Sequence, residues 1–226
     1  MADYIHKNIL CQAYIHSESD RFSEDELQKL KDELKEYVTK RAQFFLYNDV
    51  EISIDVGEGS FKSWASVLGT LTLLYGGIAN YPSFREGIVA LYDDVNRLSS
   101  AIVSESLFLS KKRQPEIIRI ESRTGIIGSL KRVSDQILFI REHNGLISPE
   151  RMHKLLSNTL EDVNRLISVL KNEEDRILVK EMLLTEAEKL PRIPLPTKKQ
   201  RSFAGDIAIF KSRREELIRL LKNEIV

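Results

Sequence analysis

Residues 62–85 read KSWASVLGTLTLLYGGIANYPSFR, and between Lys62 and Arg85 there is no charged side chain. Elsewhere the chain is heavily charged, 30% of it being Asp, Glu, Lys or Arg. A helix needs about 20 apolar residues to cross a bilayer, and aromatics favour the two interfaces. The run is long enough, and Trp64 and Tyr81 stand near its ends. Its interior is mixed. Val67, Leu68, Leu71, Leu73, Leu74 and Ile78 favour insertion by about 0.3–0.6 kcal/mol each, and Gly69, Gly76, Gly77, Ser66, Thr70, Thr72 and Asn80 oppose it. Ala65, Gly69, Thr72, Gly76 and Ala79 recur at alternating spacings of four and three. On a helix they form one narrow seam of small side chains, against which a second helix can pack closely. The run therefore predicts one uncharged helix over 63–84. It would be enclosed by the fold, buried between subunits, or exposed to a membrane after assembly.

Upstream, the pattern has period two. Ile5, Ile9, Cys11, Ala13 and Ile15 fall on one side of an extended chain, and His6, Asn8, Gln12 and His16 on the other, which predicts a half-buried strand. Ser23 and Glu26 match a capping box. Behind them Leu27, Leu30, Leu34, Tyr37, Val38 and Phe44 repeat at helical spacing, predicting a helix over 24–46. Val50, Ile52, Ile54 and Val56 alternate with polar residues in a second strand. Strand, helix, strand in this order implies a crossover joining parallel strands. Two strands make a poor sheet, so a third must come from elsewhere in the chain or from a partner.

Downstream the periodicity is helical. Amphipathic segments run over about 85–109, from Ile126 to Ile140, and onward from Ser148-Pro149, a cap followed by proline at the first helical position. Ile117–Ile120 fits a strand or a helix start equally well. Pro191, Pro194 and Pro196 mark an extended connector before a basic helix. The string DVNRL occurs twice, at 94–98 and 162–166, both on amphipathic helices. The fold class expected is α+β, predominantly helical, in three parts. Residues 1–60 form a small β-α-β unit, 61–190 a helical bundle around the uncharged helix, and 191–226 the connector and C-terminal helix.

Lys and Arg number 34, as do Asp and Glu, so no global basic surface announces nucleic acid, which is disfavoured as a partner. One Cys excludes a disulfide scaffold and a Cys-rich zinc site and, with no leader-like start, predicts a cytoplasmic location. Residues 57–62, GEGSFK, lie where phosphate-binding loops sit but lack the Walker and dinucleotide patterns. A strand-to-helix turn is the expectation there. Gly125 and Gly128 make a G-x-x-G with Arg123, Lys131 and Arg132 around it, the form of a loop that clamps a nucleic-acid backbone. His6, Cys11 and His16 do not converge on a strand, so no metal ligands, catalytic residues or cofactor-binding residues are assigned. Glu58–Leu91 is similar to segments of uncharacterised bacterial proteins, which implies an origin but no activity.

The function expected is that of a non-enzymatic, self-associating bacterial effector. The seam at Ala65, Gly69, Thr72, Gly76 and Ala79 would drive a homo-oligomer, with membrane engagement after assembly. The alternatives are a soluble helical scaffold that binds a partner protein, and a nucleic-acid-binding module that uses Arg123, Lys131, Arg132 and the basic C-terminal half.

Overall fold

A computed structural model describes residues 9–18, 22–46, 50–57, 61–78, 81–196 and 204–223, with the backbone alone at 75–78 and 114. The chain is a predominantly helical α+β protein that divides into two compact units, Met1–Gly128 and Ser129–Val226. The boundary expected at residue 60 falls instead inside a β-hairpin of the first unit.

The first unit is built on four strands, β1 (Ile9–Ser17), β2 (Glu51–Gly57), β3 (Lys62–Leu68) and β4 (Ile117–Arg123), in the order β2-β3-β1-β4. Every neighbouring pair is antiparallel. Because β3 lies antiparallel between β1 and β2, those two strands run parallel, as the crossover through α1 (Glu24–Leu46) requires. β3 supplies the third strand that the sequence demanded. The same logic relates β3 and β4 through α2 (Leu71–Ile78) and α3 (Phe84–Leu109), with β1 between them. Two interlocked split β-α-β units result, the β-α-β-β-α-β arrangement of ferredoxin-like domains.

The uncharged run is thus not one helix. Residues 62–68 are a strand and 71–78 a helix of eight residues. The physical reason is a period-two pattern within the run. Ser63, Ala65 and Val67 face inward while Lys62, Trp64 and Ser66 face outward, and the strand satisfies its backbone against both β1 and β2. Thr70 then starts α2, its Oγ1 accepting from the Leu73 N–H at 3.3 Å. Among the described residues no helix is long and apolar enough to cross a membrane.

α1 and α3 pack together on the inner face of the sheet, α1 against β2 and α3 against β1 and β4. α1 begins as the sequence predicts. The Ser23 N–H donates to Glu26 Oε2 at 2.8 Å, and the Glu26 N–H donates back to Ser23 Oγ at 3.3 Å. It buries Leu30, Leu34, Val38, Ala42 and Leu46, four residues apart, whereas Phe44 turns outward. Ile15, Leu30, Val56 and Phe61 form a buried cluster between sheet and helices. Ala13 stands opposite Ala65 on the inner face, both buried, and short side chains there let a helix lie close to the sheet.

The second unit contains α4 (Gly125–Glu142, beginning at the boundary), α5 (Pro149–Val169), α6 (Glu173–Glu188) and α7 (Ala204–Lys222). Ser148 caps α5 by accepting from the Arg151 N–H at 3.2 Å, and Pro149 opens the helix. α7 packs on α5 and α6 through Phe210, Leu217 and Leu221, all fully buried. The two DVNRL copies have the same physics. Val95, Leu98, Val163 and Leu166 are buried, while Asp94 pairs with Arg97 and Asp162 with Arg165 one turn on.

Candidate functional site

The register of the sheet places twelve outward positions in three rows. Reading from β2 through β3 and β1 to β4, the first row is Ser53, Ser66, Gln12 and Arg123, and the second is Asp55, Trp64, Tyr14 and Glu121. The third row is Gly57, Lys62, His16 and Arg119. The two long helices lie on the opposite face. The outer face is therefore polar apart from a pair of aromatic rings at its centre. Trp64 and Tyr14 lie against each other at a centroid distance of 4.9 Å with their planes tilted by 33°, and the His16 ring centroid lies 6.4 Å from that of Tyr14.

The first row is closed and the others are open. Ser66 and Gln12 are buried, and Gln12 Nε2 donates to Ser66 Oγ at 2.9 Å while Arg123 donates to Gln12 Oε1 at 3.4 Å. Trp64, Tyr14, His16 and Lys62 are half-buried, and Asp55 is exposed. Arg119 and Arg123 are exposed and both bind Glu121, which stands between them. Three cations thus share this face with two carboxylates, a weakly positive field with an apolar centre. Flat π-surfaces beside guanidinium groups can stack planar rings and hold an anion next to them.

The expected seam is dispersed. Ala65 is buried on the inner face of β3, and Gly69 lies in the following turn, where a Cβ would come within 2.9 Å of Leu10 Cδ1. Thr72 and Gly76 are on α2, with the Thr72 hydroxyl 3.1 Å from that of Thr70. Ala79 lies outside the described residues. Trp64 and Tyr81, expected at two ends of one helix, instead sit on a strand and just before α3. The 57–62 segment is a strand-to-strand hairpin rather than a strand-to-helix turn, with Gly57 opposite Lys62; residues 58–60 lie outside the described residues.

The G-x-x-G does not form a clamp. Gly125 has φ +50°, and a Cβ on it would come within 1.9 Å of the Ile9 carbonyl oxygen. A Cβ on Gly128 would meet Thr124 Oγ1 at 2.0 Å. Both glycines are consumed by close packing at the start of α4. Of the three bases, Arg123 joins the outer sheet face, Lys131 pairs with Asp135 at 2.6 Å, and Arg132 lines a shallow hollow with Asp162 and Arg165.

The basic tail is largely self-satisfied. Arg214 donates to the carbonyls of Leu190 and Glu188 at the end of α6, Arg213 pairs with Glu216 and Lys222 with Glu188. Arg192 and Lys211 line a hollow of about 470 Å³ that Glu215 shares. An apolar corner is also exposed in this unit. Asn144 Oδ1 accepts from the Leu195 N–H at 2.8 Å, and beside this bond Leu146 and Leu195 are 72% and 54% exposed.

Cys11 is fully buried on the inner face, and burial pushes its thiol up to about 12, so no thiolate nucleophile is available there. Among the described residues no group of three or more His, Cys, Asp or Glu is placed to hold a metal ion. The residues that sequence reasoning missed are Tyr14, Lys62 and Arg119. The signal for Tyr14 was its place between Gln12 and His16 on the polar side of β1. Comparison of the chain with protein-family models, curated proteins and solved structures finds no match to any of them.

Proposed function

We infer that the first unit binds single-stranded nucleic acid on the outer face of its sheet. The observation that carries this reading is the Tyr14–Trp64 pair, half-open on the two central strands and flanked by the exposed Arg119 and Arg123. RNA-recognition modules stack bases on aromatics of a four-stranded sheet, and unpaired bases offer the rings they need. The likeness is one of architecture and site chemistry. The chain does not carry the basic-Gly-aromatic opening of the usual β3 motif, since Ser63 follows Lys62. With few cations on the face, stacking contributes more than phosphate contacts, so affinity should be modest and its salt dependence shallow.

Trp64 is the sole tryptophan of the chain, so its emission reports directly on the site. Titration with single-stranded oligonucleotides should quench that emission at low salt, and a duplex of the same sequence should quench it far less. Flat titrations with both RNA and DNA would remove the reading. In that case the apolar corner at Leu146 and Leu195 favours the scaffold alternative, in which a partner protein covers it. Leu146→Asp would then break the partner complex without changing the fold.

A further inference from the structure

We propose that β4 is a homodimerisation edge, pairing antiparallel with β4 of a second copy about a two-fold axis at Ile120. β4 is terminal in the strand order, and among the described residues no strand pairs with its outer edge. Unpaired edges are usually blunted by short length, proline, bulges or charged side chains. The pairing of β4 is irregular only where Ile117 meets Ser17, and its three charges alternate in sign. The strand itself, Ile117–Arg123, is seven residues rich in isoleucine, without proline or glycine. It remains open to solvent, with Ile118 at 58% and Ile120 at 43% exposure.

Its charges are self-complementary in one register. A two-fold axis at Ile120 sets Arg119 opposite the partner's Glu121, Glu121 opposite the partner's Arg119, and Ile120 opposite the partner's Ile120. Directly opposite residues share a face, so both ion pairs would form on the outer face and the isoleucines would meet on the inner one. Moving the axis to Glu121 would set Arg119 against the partner's Arg123 and the two glutamates against each other. The charge pattern thus selects a register as well as a partner.

The other edge has the opposite character. Glu51 and Asp55 are the exposed residues of β2 and carry the same sign, so two β2 strands paired about Ser53 would oppose carboxylate to carboxylate. An isologous dimer through β4 is closed, because the same patch serves both subunits. It extends the sheet to twice its width and shares Arg119 with the proposed binding face, so molar mass without nucleic acid is its readout.

Molar mass from light scattering or sedimentation, from low micromolar to submillimolar concentration, tests this. Wild type should dimerise as concentration rises. Arg119→Glu and Glu121→Arg should each weaken the dimer by roughly tenfold or more, since each places like charges opposite one another. Mixing the two single variants should restore dimers, because one chain then carries two acids at positions 119 and 121 and the other two bases, so both cross-strand pairs join opposite charges. The double variant should dimerise with itself. Circular dichroism checks that each variant is folded. A wild type that stays monomeric overturns the proposal, as does a dimer indifferent to both single variants or a mixture that gains nothing over its components.

Discussion

Trp64 stands directly opposite Tyr14 across the β1–β3 ladder, and the two rings are in contact although their residues are fifty positions apart. Such a pair stabilises a sheet, and it also offers a stacking surface on the side away from the helices. Substitutions can separate the two roles. Tyr14→Ala should weaken single-strand binding by about 1–3 kcal/mol, the range for loss of one base–aromatic contact. Its effect on folding should stay at about 1 kcal/mol or less, the scale of a cross-strand pair. Fluorescence titration and urea unfolding of the same sample measure both. Equal losses in the two experiments would assign the pair to the fold alone.

Gly125 should tolerate no side chain. Its φ of +50° disfavours other residues, and a Cβ would press into the Ile9 carbonyl of β1, a backbone atom that cannot turn aside. Gly125→Ala should destabilise by about 2 kcal/mol or more, combining strain with a forced backbone shift. Urea denaturation followed by Trp64 fluorescence would read it. Unchanged stability would show that β1 and the start of α4 can move apart with little strain.

The Cys11 thiol should be inert while the protein is folded. A disulfide reagent at neutral pH should modify it only in denaturant, as the buried thiol cannot form its thiolate. Its folded pKa is raised, so its contribution to stability is full below the unfolded thiol's pKa and falls as pH rises from there towards about 12. Cys11→Ala should lose that alkaline slope. Rapid labelling of native protein would contradict the burial.

Glu26 gives the opposite sign. The backbone and then the hydroxyl of Ser23 hold its carboxyl below the usual glutamate range. The box therefore supports α1 fully above the unfolded carboxyl pKa and is lost as pH falls through the lower folded value. Glu26→Gln should flatten that part of the acid titration of helicity. A slope identical to wild type would mean that other carboxylates govern it.

Removing the α5 cap isolates the second unit. Ser148→Ala should lower its stability by about 1 kcal/mol, because the Arg151 N–H loses its acceptor. The Trp64 signal reports on the first unit, so far-ultraviolet dichroism is the better probe here.

Local chemistry by itself determined a good deal of this protein. The alternation of β1, the Ser23–Glu26 box, the leucine spacing of α1 and the Ser148-Pro149 start of α5 each depend on residues within a few positions. Each has the structure expected of it. Residues 63–84 did not, because a strand buried between neighbours and a short apolar helix both lack charge, and the shared lack of charge masked the change from period two at 62–68 to helix at 71–78. Only pairing with β1 and β2 made 62–68 a strand, through backbone bonds to residues that sequence spacing cannot reach. The same pairing resolved Ile117–Ile120 as strand and put the polar side of β1 beside Trp64 and Arg119. The outer face exists only once three distant segments share a sheet, whereas α1, α5 and their caps were written locally.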